Sequence, residues 1–248
     1  MKRPTILVNR PNDGCSDALR ESGLEVLNLE LIRTEPVNDL TEFTETIGQI
    51  GQYDGIFLTS PVAAEIFVNQ LDGSGKSISG TIYVLGERSQ AVLTGWALNV
   101  VYSETANTAQ DLINSLGDAE FAGKRLLYIR GDKSVGTIRQ MLTGKAEVDE
   151  LIVYRTLENK PDDAAINDLK DQIGKNEIDW VCFFSPSGVK GFVSVFGGND
   201  LSGIKGSAIG ETTAAAVREL GINIDFISKR SNAKEFAAGL AAYIKSIE

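Results

Sequence analysis

The sequence predicts an α/β protein made of two similar parallel-sheet units, and three observations carry that prediction. First, blocks of the chain recur after about 120 to 125 residues: YDGIFLTSPVAAEIFV at 53–68 returns as IDWVCFFSPSGVKGFV at 178–193, and IYVLGERSQAVLTGWALNVVYS at 82–103 as SAIGETTAAAVRELGINIDFIS at 207–228. PTILVNRPNDG at 4–14 likewise pairs with RLLYIRGDKSVG at 125–136, and LELIRTEP at 29–36 with ELIVYRTLE at 150–158. Second, short apolar runs alternate with amphipathic segments throughout, the pattern of parallel strands covered by helices. Third, 248 residues accommodate two domains near the commonest size.

The elements follow in order. A strand at 5–10 leads to a helix at 14–22 that Gly23 ends, then to a strand at 24–31. After a helix at 39–49 comes the strand 54–60, where Ser60-Pro61 sets an N-cap hydroxyl before a proline at the first position of the helix 61–71. Strand 81–86, helix 87–96, strand 98–103 and helix 107–116 complete the first copy. The second runs through strand 124–130, helix 135–143 closed by Gly144, strand 147–155, helix 161–174 and strand 178–185. Ser185-Pro186 then opens helix 186–197, followed by strand 206–210, helix 211–220 closed by Gly221, strand 224–228 and helix 232–246.

The equivalent segments 29–38 (LELIRTEPVN) and 148–160 (VDELIVYRTLENK) read as extended strands that continue past their sheets. Paired as a ribbon, they carry the chain out of one lobe and back. Residues 1–32 then join 160–248 in a discontinuous first domain, 38–149 form the second, and 33–37 with 150–159 are linker strands. Each domain has five parallel strands, as in a flavodoxin-like, doubly wound sheet, with a cleft between the lobes. A simple division near residue 122 gives the same strand count.

The composition excludes several functions. A net charge of −10, from 24 Lys and Arg against 34 Asp and Glu, leaves no basic block for nucleic acid, although local dipoles can still hold a small anion. The absence of histidine removes the usual general base and the commonest metal ligand, so no Ser-His-Asp or Cys-His hydrolase and no metal site is expected. Cys15 and Cys182 are distant in sequence and form no CxxC pair; MKRPTILVNRPNDG runs directly into a strand, and no apolar run reaches membrane-spanning length. The expectation is a cytoplasmic protein with no membrane partner.

The candidate site residues lie at strand ends. Thr59-Ser60-Pro61, Ser185-Pro186-Ser187, Gly86-Glu87-Arg88-Ser89 and Gly210-Glu211-Thr212-Thr213 present hydroxyls and unpaired backbone N–H groups at helix starts. Each can attract a carboxylate or phosphate by about 0.3–1 kcal/mol per charge, or can simply cap its helix. Arg10 and Arg130 end equivalent strands, placed either to grip a carboxylate or to form an ordinary ion pair. Tyr154, whose counterpart in the first copy is Ile32, can donate a proton without metal or histidine, or pack on a strand surface. GSGKS at 73–77 is read as a solvent loop: the P-loop glycine five residues before the Gly-Lys pair is Gln70, and a helix precedes it. No GxGxxG follows a predicted strand, so a dinucleotide cofactor has no support.

Taken together, ILVNRP, DGIFLTSP, VLGERS, LLYIRG, ELIVYRT, VCFFSPSGV and AIGETTAAAVRELG resemble the uroporphyrinogen-III synthase family in order and spacing, over essentially the whole chain. The resemblance implies two flavodoxin-like domains joined by a two-stranded β-ladder, a monomer, and no cofactor. It implies that hydroxymethylbilane loses water and closes to uroporphyrinogen III with inversion of the last ring through a spiro intermediate, whereas the free bilane closes without inversion. Carried over by position, it makes Tyr154 the group assisting departure of the hydroxyl, and Arg10, Ser60, Arg130, Ser185, Ser187, Thr212 and Thr213 the substrate-binding positions. Ser89 stands where the family usually has threonine, and Gln90 where it has alanine. The alternative from another class is a non-catalytic two-lobed protein that binds a tetrapyrrole or another polycarboxylate; a periplasmic-type binding protein is disfavoured by the absence of a signal peptide.

Overall fold

Short strands alternate with helices in the computed structural model, which describes residues 3–134, 137–197, 201, 203–219, 221–230 and 232–247. In chain order the elements are β1 (Thr5–Val8), α1 (Gly14–Glu21), β2 (Glu25–Asn28), β3 (Ile32–Pro36), α2 (Thr41–Gly48), a 3-10 turn (Ile50–Gln52), β4 (Gly55–Leu58) and α3 (Pro61–Ser74). Next come β5 (Thr81–Val84), α4 (Glu87–Val92), β6 (Asn99–Tyr102), α5 (Ala109–Leu116), α6 (Asp118–Phe121), β7 (Arg125–Gly131), α7 (Thr137–Met141) and β8 (Glu147–Glu158). The chain finishes with α8 (Asp163–Gly174), β9 (Trp180–Phe183), α9 (Pro186–Phe196), β10 (Lys205–Ala208), α10 (Glu211–Glu219), β11 (Ile224–Ile227) and α11 (Ala233–Ile247).

These form an α/β fold of two compact units, Met1–Arg33 with Glu158–Glu248, and Thr34–Leu157. The first unit holds a sheet in the order β11-β10-β9-β1-β2, and every strand pair in it is parallel. Its two core layers follow the strand alternation: Ile6, Val8, Trp180 and Cys182 pack with α1 and α11 residues such as Leu19 and Phe236, while Leu7, Val181 and Phe183 pack with Leu169 of α8 and Phe192 of α9. The second unit holds the order β3-β8-β7-β4-β5-β6, with β8, β7, β4, β5 and β6 parallel to their neighbours. There, Ile56 and Leu58 face Phe43 and Phe67 of α2 and α3, while Phe57 faces Phe121.

Local signals behave as the sequence indicates. Ser60 and Ser185 are extended N-caps, with Pro61 and Pro186 at the first helical positions. Gly23, Gly144 and Gly221 adopt φ of 93°, 76° and 74° beyond their helices, conformations closed to most side chains. Other boundaries move. Instead of one strand over 24–31, β2 ends at Asn28; the buried Leu29 and Leu31 then lead into β3. α3 runs a turn further than expected, so Gly73 and Ser74 of the GSGKS segment are helical rather than loop, and Gly75 at φ 64° stops the helix. α4 ends at Val92 rather than at 96, and α6 and the 3-10 turn carry no clear sequence signal. Of the helix expected over 135–143, Val135 and Gly136 lie outside the described residues, as does Leu220 of the helix expected over 211–220.

Phe57 is fully buried, stacked on Tyr83 with centroids 4.7 Å apart and 5.9 Å from Phe121. Phe57→Ala is expected to destabilise the protein by about 3–5 kcal/mol. A urea titration should show this as a lowered midpoint at unchanged slope, and a loss under about 1 kcal/mol would contradict the packing described.

Candidate active site

In open α/β sheets, ligands bind beyond the carboxyl ends of the strands where strand order reverses. In the unit formed by 34–157 that point lies between β4 and β7, which are neighbours although β5 and β6 intervene in sequence. The turn after β4 carries Thr59 and Ser60. Ser60 Oγ accepts from Ala63 N at 3.1 Å and so caps α3. It also accepts from the hydroxyl of Tyr154, at 3.1 Å. Among the described residues no acceptor takes Ser60's own hydroxyl proton, so that proton remains available to a ligand. Thr59 Oγ1 lies 3.1 Å from the hydroxyl of Tyr128 on β7.

A register shift aims Tyr154. Along β7 and β8, Leu127, Ile129, Leu151 and Val153 pack in one core layer, and Leu126, Tyr128 and Val148 in the other. Simple alternation would put Tyr154 on the face of Val148 and Glu150. Arg130 pairs with Ile152, however, and Gly131 with Tyr154, so Val153 is an extra residue in β8. Such a bulge turns a side chain to the other face. Tyr154 consequently joins Val153 in the layer beneath α3, at 9% exposure. Its carbonyl accepts from Asp132 N at 3.0 Å, and Asp132 Oδ1 accepts from Thr156 N at 2.8 Å. These bonds tie the strand beyond the bulge to the end of β7.

Arg130, by alternation on the opposite face from Leu127 and Ile129, is already engaged. Its Nε and Nη2 each lie 3.1 Å from Glu150 Oε2, and Nη1 donates to the carbonyls of Gly131 and Ser134 at 3.0 and 3.3 Å. The guanidinium thus braces the turn after β7. Glu150 Oε1 is buried and has no partner among the described residues. Ser89, in the first turn of α4, is wholly buried, and its Oγ is likewise unpartnered among the described residues. Gly86, which precedes α4, offers no side-chain cap.

In the other unit the strand order reverses between β1 and β9. Ser185 Oγ accepts from Gly188 N at 3.1 Å and caps α9; Ser187, two residues further on, is half-buried. Asn9, just past β1, donates through Nδ2 to Gly188 O at 2.7 Å, and its buried Oδ1 has no partner among the described residues. Arg10 pairs with Asp13 at 2.5 Å and lies over the Phe184 ring, 4.6 Å from its centroid. Asp13 in turn caps α1 through Cys15 N. Beyond β10, Thr212 is exposed and Thr213 buried in the first turn of α10. Within each unit, then, the sequence-selected residues gather at one side of adjacent strands: Ser60 and Arg130 at strand ends with Tyr154 opposite the end of β7 in one, Arg10, Ser185 and Ser187 in the other, with Thr212 and Thr213 one strand along.

The structure adds residues that sequence reasoning missed: Gly131 under the Tyr154 ring, Glu150 holding Arg130, Asn9 against α9, and Tyr128 on Thr59. Cys15 and Cys182, distant in sequence, share one core cluster and are free. Burial pushes the Cys15 thiol up to about 11 and raises Cys182 as well, so neither offers a thiolate at neutral pH. Among the described residues no cluster of His, Cys, Asp and Glu is arranged to hold a metal ion, and no helix is long and apolar enough to cross a membrane.

Comparison with known proteins points to one family. A family model described as uroporphyrinogen-III synthase HemD matches residues 13–238. A protein named uroporphyrinogen-III synthase from Chlorobaculum parvum is 29% identical over 257 residues, covering 97% of this chain and 99% of the relative. Two solved structures share the fold: a mutant uroporphyrinogen III synthase from the extremely thermophilic bacterium Thermus thermophilus (TM-score 0.67, 16% identity, 98% of this chain and 99% of that one), and uroporphyrinogen-III synthetase from Helicobacter pylori (TM-score 0.62, 19% identity, 98% and 100%).

Ser60 serves two elements at once, as cap of α3 and as acceptor for Tyr154. Ser60→Ala should therefore lower stability by about 1–2 kcal/mol, measured by thermal or urea denaturation. An unchanged midpoint would mean that the capping bond does not form in solution.

Proposed function

The chain belongs to the uroporphyrinogen-III synthase family, enzymes of porphyrin biosynthesis that act as lyases, and on that premise we propose that it dehydrates and cyclises hydroxymethylbilane to uroporphyrinogen III with inversion of the terminal ring. The observation that carries the proposal is the Tyr154 phenol opposite the carboxyl end of β7, turned by a bulge onto Ser60 and tied through its backbone to the end of β7.

In this reading Tyr154 gives its hydroxyl proton to the departing hydroxyl of the bilane. The C–O bond breaks, its electron pair leaves with the oxygen as water, and the first ring, which carried the hydroxymethyl group, becomes an azafulvene-type cation. The substituted carbon of the last ring attacks it to form a spiro intermediate, which fragments and recloses with that ring inverted. The ring carbon's proton, lost on final rearomatisation, restores the balance. Ser60 has a role beside Tyr154: with both hydroxyls rotated, it donates its own proton to the phenol oxygen while the phenol proton faces substrate. The free bilane closes without inversion, so the protein's main contribution is to hold the reacting carbons in order. That task needs neither histidine nor a cofactor.

Substrate carboxylates are assigned to the helix starts. Ser60, Ser89 and Arg130 in one unit, and Arg10, Ser185, Ser187, Thr212 and Thr213 in the other, supply hydroxyls, N–H dipoles and charge. Both arginines already have carboxylate partners, so a substrate carboxylate must join or displace Asp13 or Glu150. The proposal includes two flavodoxin-like domains, 1–32 plus 160–248 and 38–149, joined through strands 33–37 and 150–159. It is supported by the order β2-β1-β9-β10-β11, the 2-1-3-4-5 order of such sheets, and by β3 lying beside β8. We take the enzyme to be a cytoplasmic monomer, as the family resemblance and the two free cysteines suggest.

Purified protein added to freshly prepared hydroxymethylbilane should yield isomer III, resolved chromatographically after oxidation; isomer I alone would remove the enzymatic reading and favour a binding protein. Tyr154→Phe should lower kcat by about 10²–10⁴-fold, the usual worth of general acid catalysis, while the melting temperature changes little. Wild-type turnover in that variant would reject the role given to Tyr154.

A further inference from the structure

We propose that Gly131 is the positioning residue for Tyr154, its lack of a side chain fixing where the phenol hydroxyl lies. The inference rests on the reading of Tyr154 as proton donor. Gly131 is the last residue of β7 and stands opposite Tyr154 in the β7–β8 register, where the bulge has just turned the tyrosine. A Cβ built at Gly131 would overlap the Cε2 and Cζ atoms of the Tyr154 ring and lie 2.8 Å from its hydroxyl oxygen. Glycine is not required there for backbone reasons, because Gly131 is absent from the positions with left-handed φ. Space for the ring is what a side chain would remove.

The surroundings determine which part must yield. The backbone of Tyr154 is pinned by its carbonyl to Asp132 N, and Thr156 N is pinned to Asp132 Oδ1, so the two strand ends cannot easily part. The ring has to move instead. Non-bonded carbons sit about 3.5–4.0 Å apart, so the displacement exceeds an ångström, enough to break the 3.1 Å bond to Ser60. Ser60 cannot follow, because it is fixed as the cap of α3. Gly131 therefore acts on the chemistry only through the tyrosine.

The test is a kinetic cycle with hydroxymethylbilane. Gly131→Ala should lower kcat nearly as far as Tyr154→Phe, at least about tenfold, with KM changed less than about twofold. In the Tyr154→Phe background, Gly131→Ala should cause no further loss in kcat, because the hydroxyl it displaces is already gone. Losses that multiply would overturn the proposal, as would full turnover in Gly131→Ala alone. If Tyr154→Phe itself keeps wild-type turnover, the reading of Tyr154 falls and this role falls with it. If Tyr154→Phe is impaired while Gly131→Ala is not, only the role of Gly131 falls. Should Gly131→Ala fail to fold, the double variant Gly131→Ala/Tyr154→Ala should regain the melting temperature of Tyr154→Ala. A double variant that stays unfolded would show that the strand, and not the ring, requires glycine.

Discussion

A parallel strand buried on both faces imposes more on this chain than any single contact does. Every residue of β1, β4 and β9 is buried, so each strand needs a helix layer above and another below. Parallel neighbours can be joined only by crossing back over the sheet. Each crossing begins where a strand ends, and so the helix starts collect along one edge of each sheet. The N-caps Ser60 and Ser185, the arginines at the ends of β1 and β7, and the tyrosine opposite the end of β7 all inherit their placement from this rule. The unpaired N–H groups and positive dipole ends of the helices gather there too, which gives an acidic protein local attraction for anions despite a net charge of −10.

What the sequence made legible is local or repeated. A serine before proline caps a helix whatever surrounds it, and a glycine after an amphipathic run stops one; both signals hold in the structure. Repetition pointed to the same turns twice, which singled out Ser60 and Ser185 as equivalent. The partners of the charged groups were not legible. Glu150 lies 20 residues after Arg130, and only strand pairing brings them to 3.1 Å. The direction of Tyr154 was equally hidden, since alternation counted along β8 gives the wrong face and one extra residue in the register reverses it. Gly131 drew no reading at all, because an empty space under a ring leaves no trace in the one-letter sequence. Cys15 and Cys182, 167 residues apart by number, fell into one core layer for the same reason.

The two units reach one spatial plan by different routes. In the first, sequence order across the sheet reads β2-β1-β9-β10-β11; in the second, the corresponding positions are β8-β7-β4-β5-β6. β7 and β8 take the places of β1 and β2, but they follow β4 to β6 in the chain where β1 and β2 precede β9 to β11. The duplicated sequence is thus read from a different starting strand in each unit. Side-chain roles transfer through such a permutation, because a strand's neighbours and its carboxyl end are unchanged. Tyr154 and its equivalent Ile32 show where transfer stops: one is held by a bulge in a twelve-residue strand, the other lies in a five-residue strand at the margin of the sheet.

The pairing of β1 with β9 also governs the order in which this chain can become a protein at all. Thr5 N donates to Asp179 Oδ2 across 174 residues, and Ile6, Leu7 and Val8 have no strand on that side until Trp180 to Cys182 exist. During synthesis the usual sequence, in which the N-terminal domain folds first, is therefore inverted. The sheet of residues 34–157 can close while β1, α1 and β2 remain a two-stranded fragment, too small to be stable alone. For roughly the time taken to polymerise the intervening residues, at about 5–20 per second, one hydrogen-bonding edge of β1 waits unpaired on the nascent polypeptide. β1 emerges before the strands of residues 34–157 and gains β9 only after them, so the ribosome-bound intermediate carries an open strand edge through the synthesis of a whole unit.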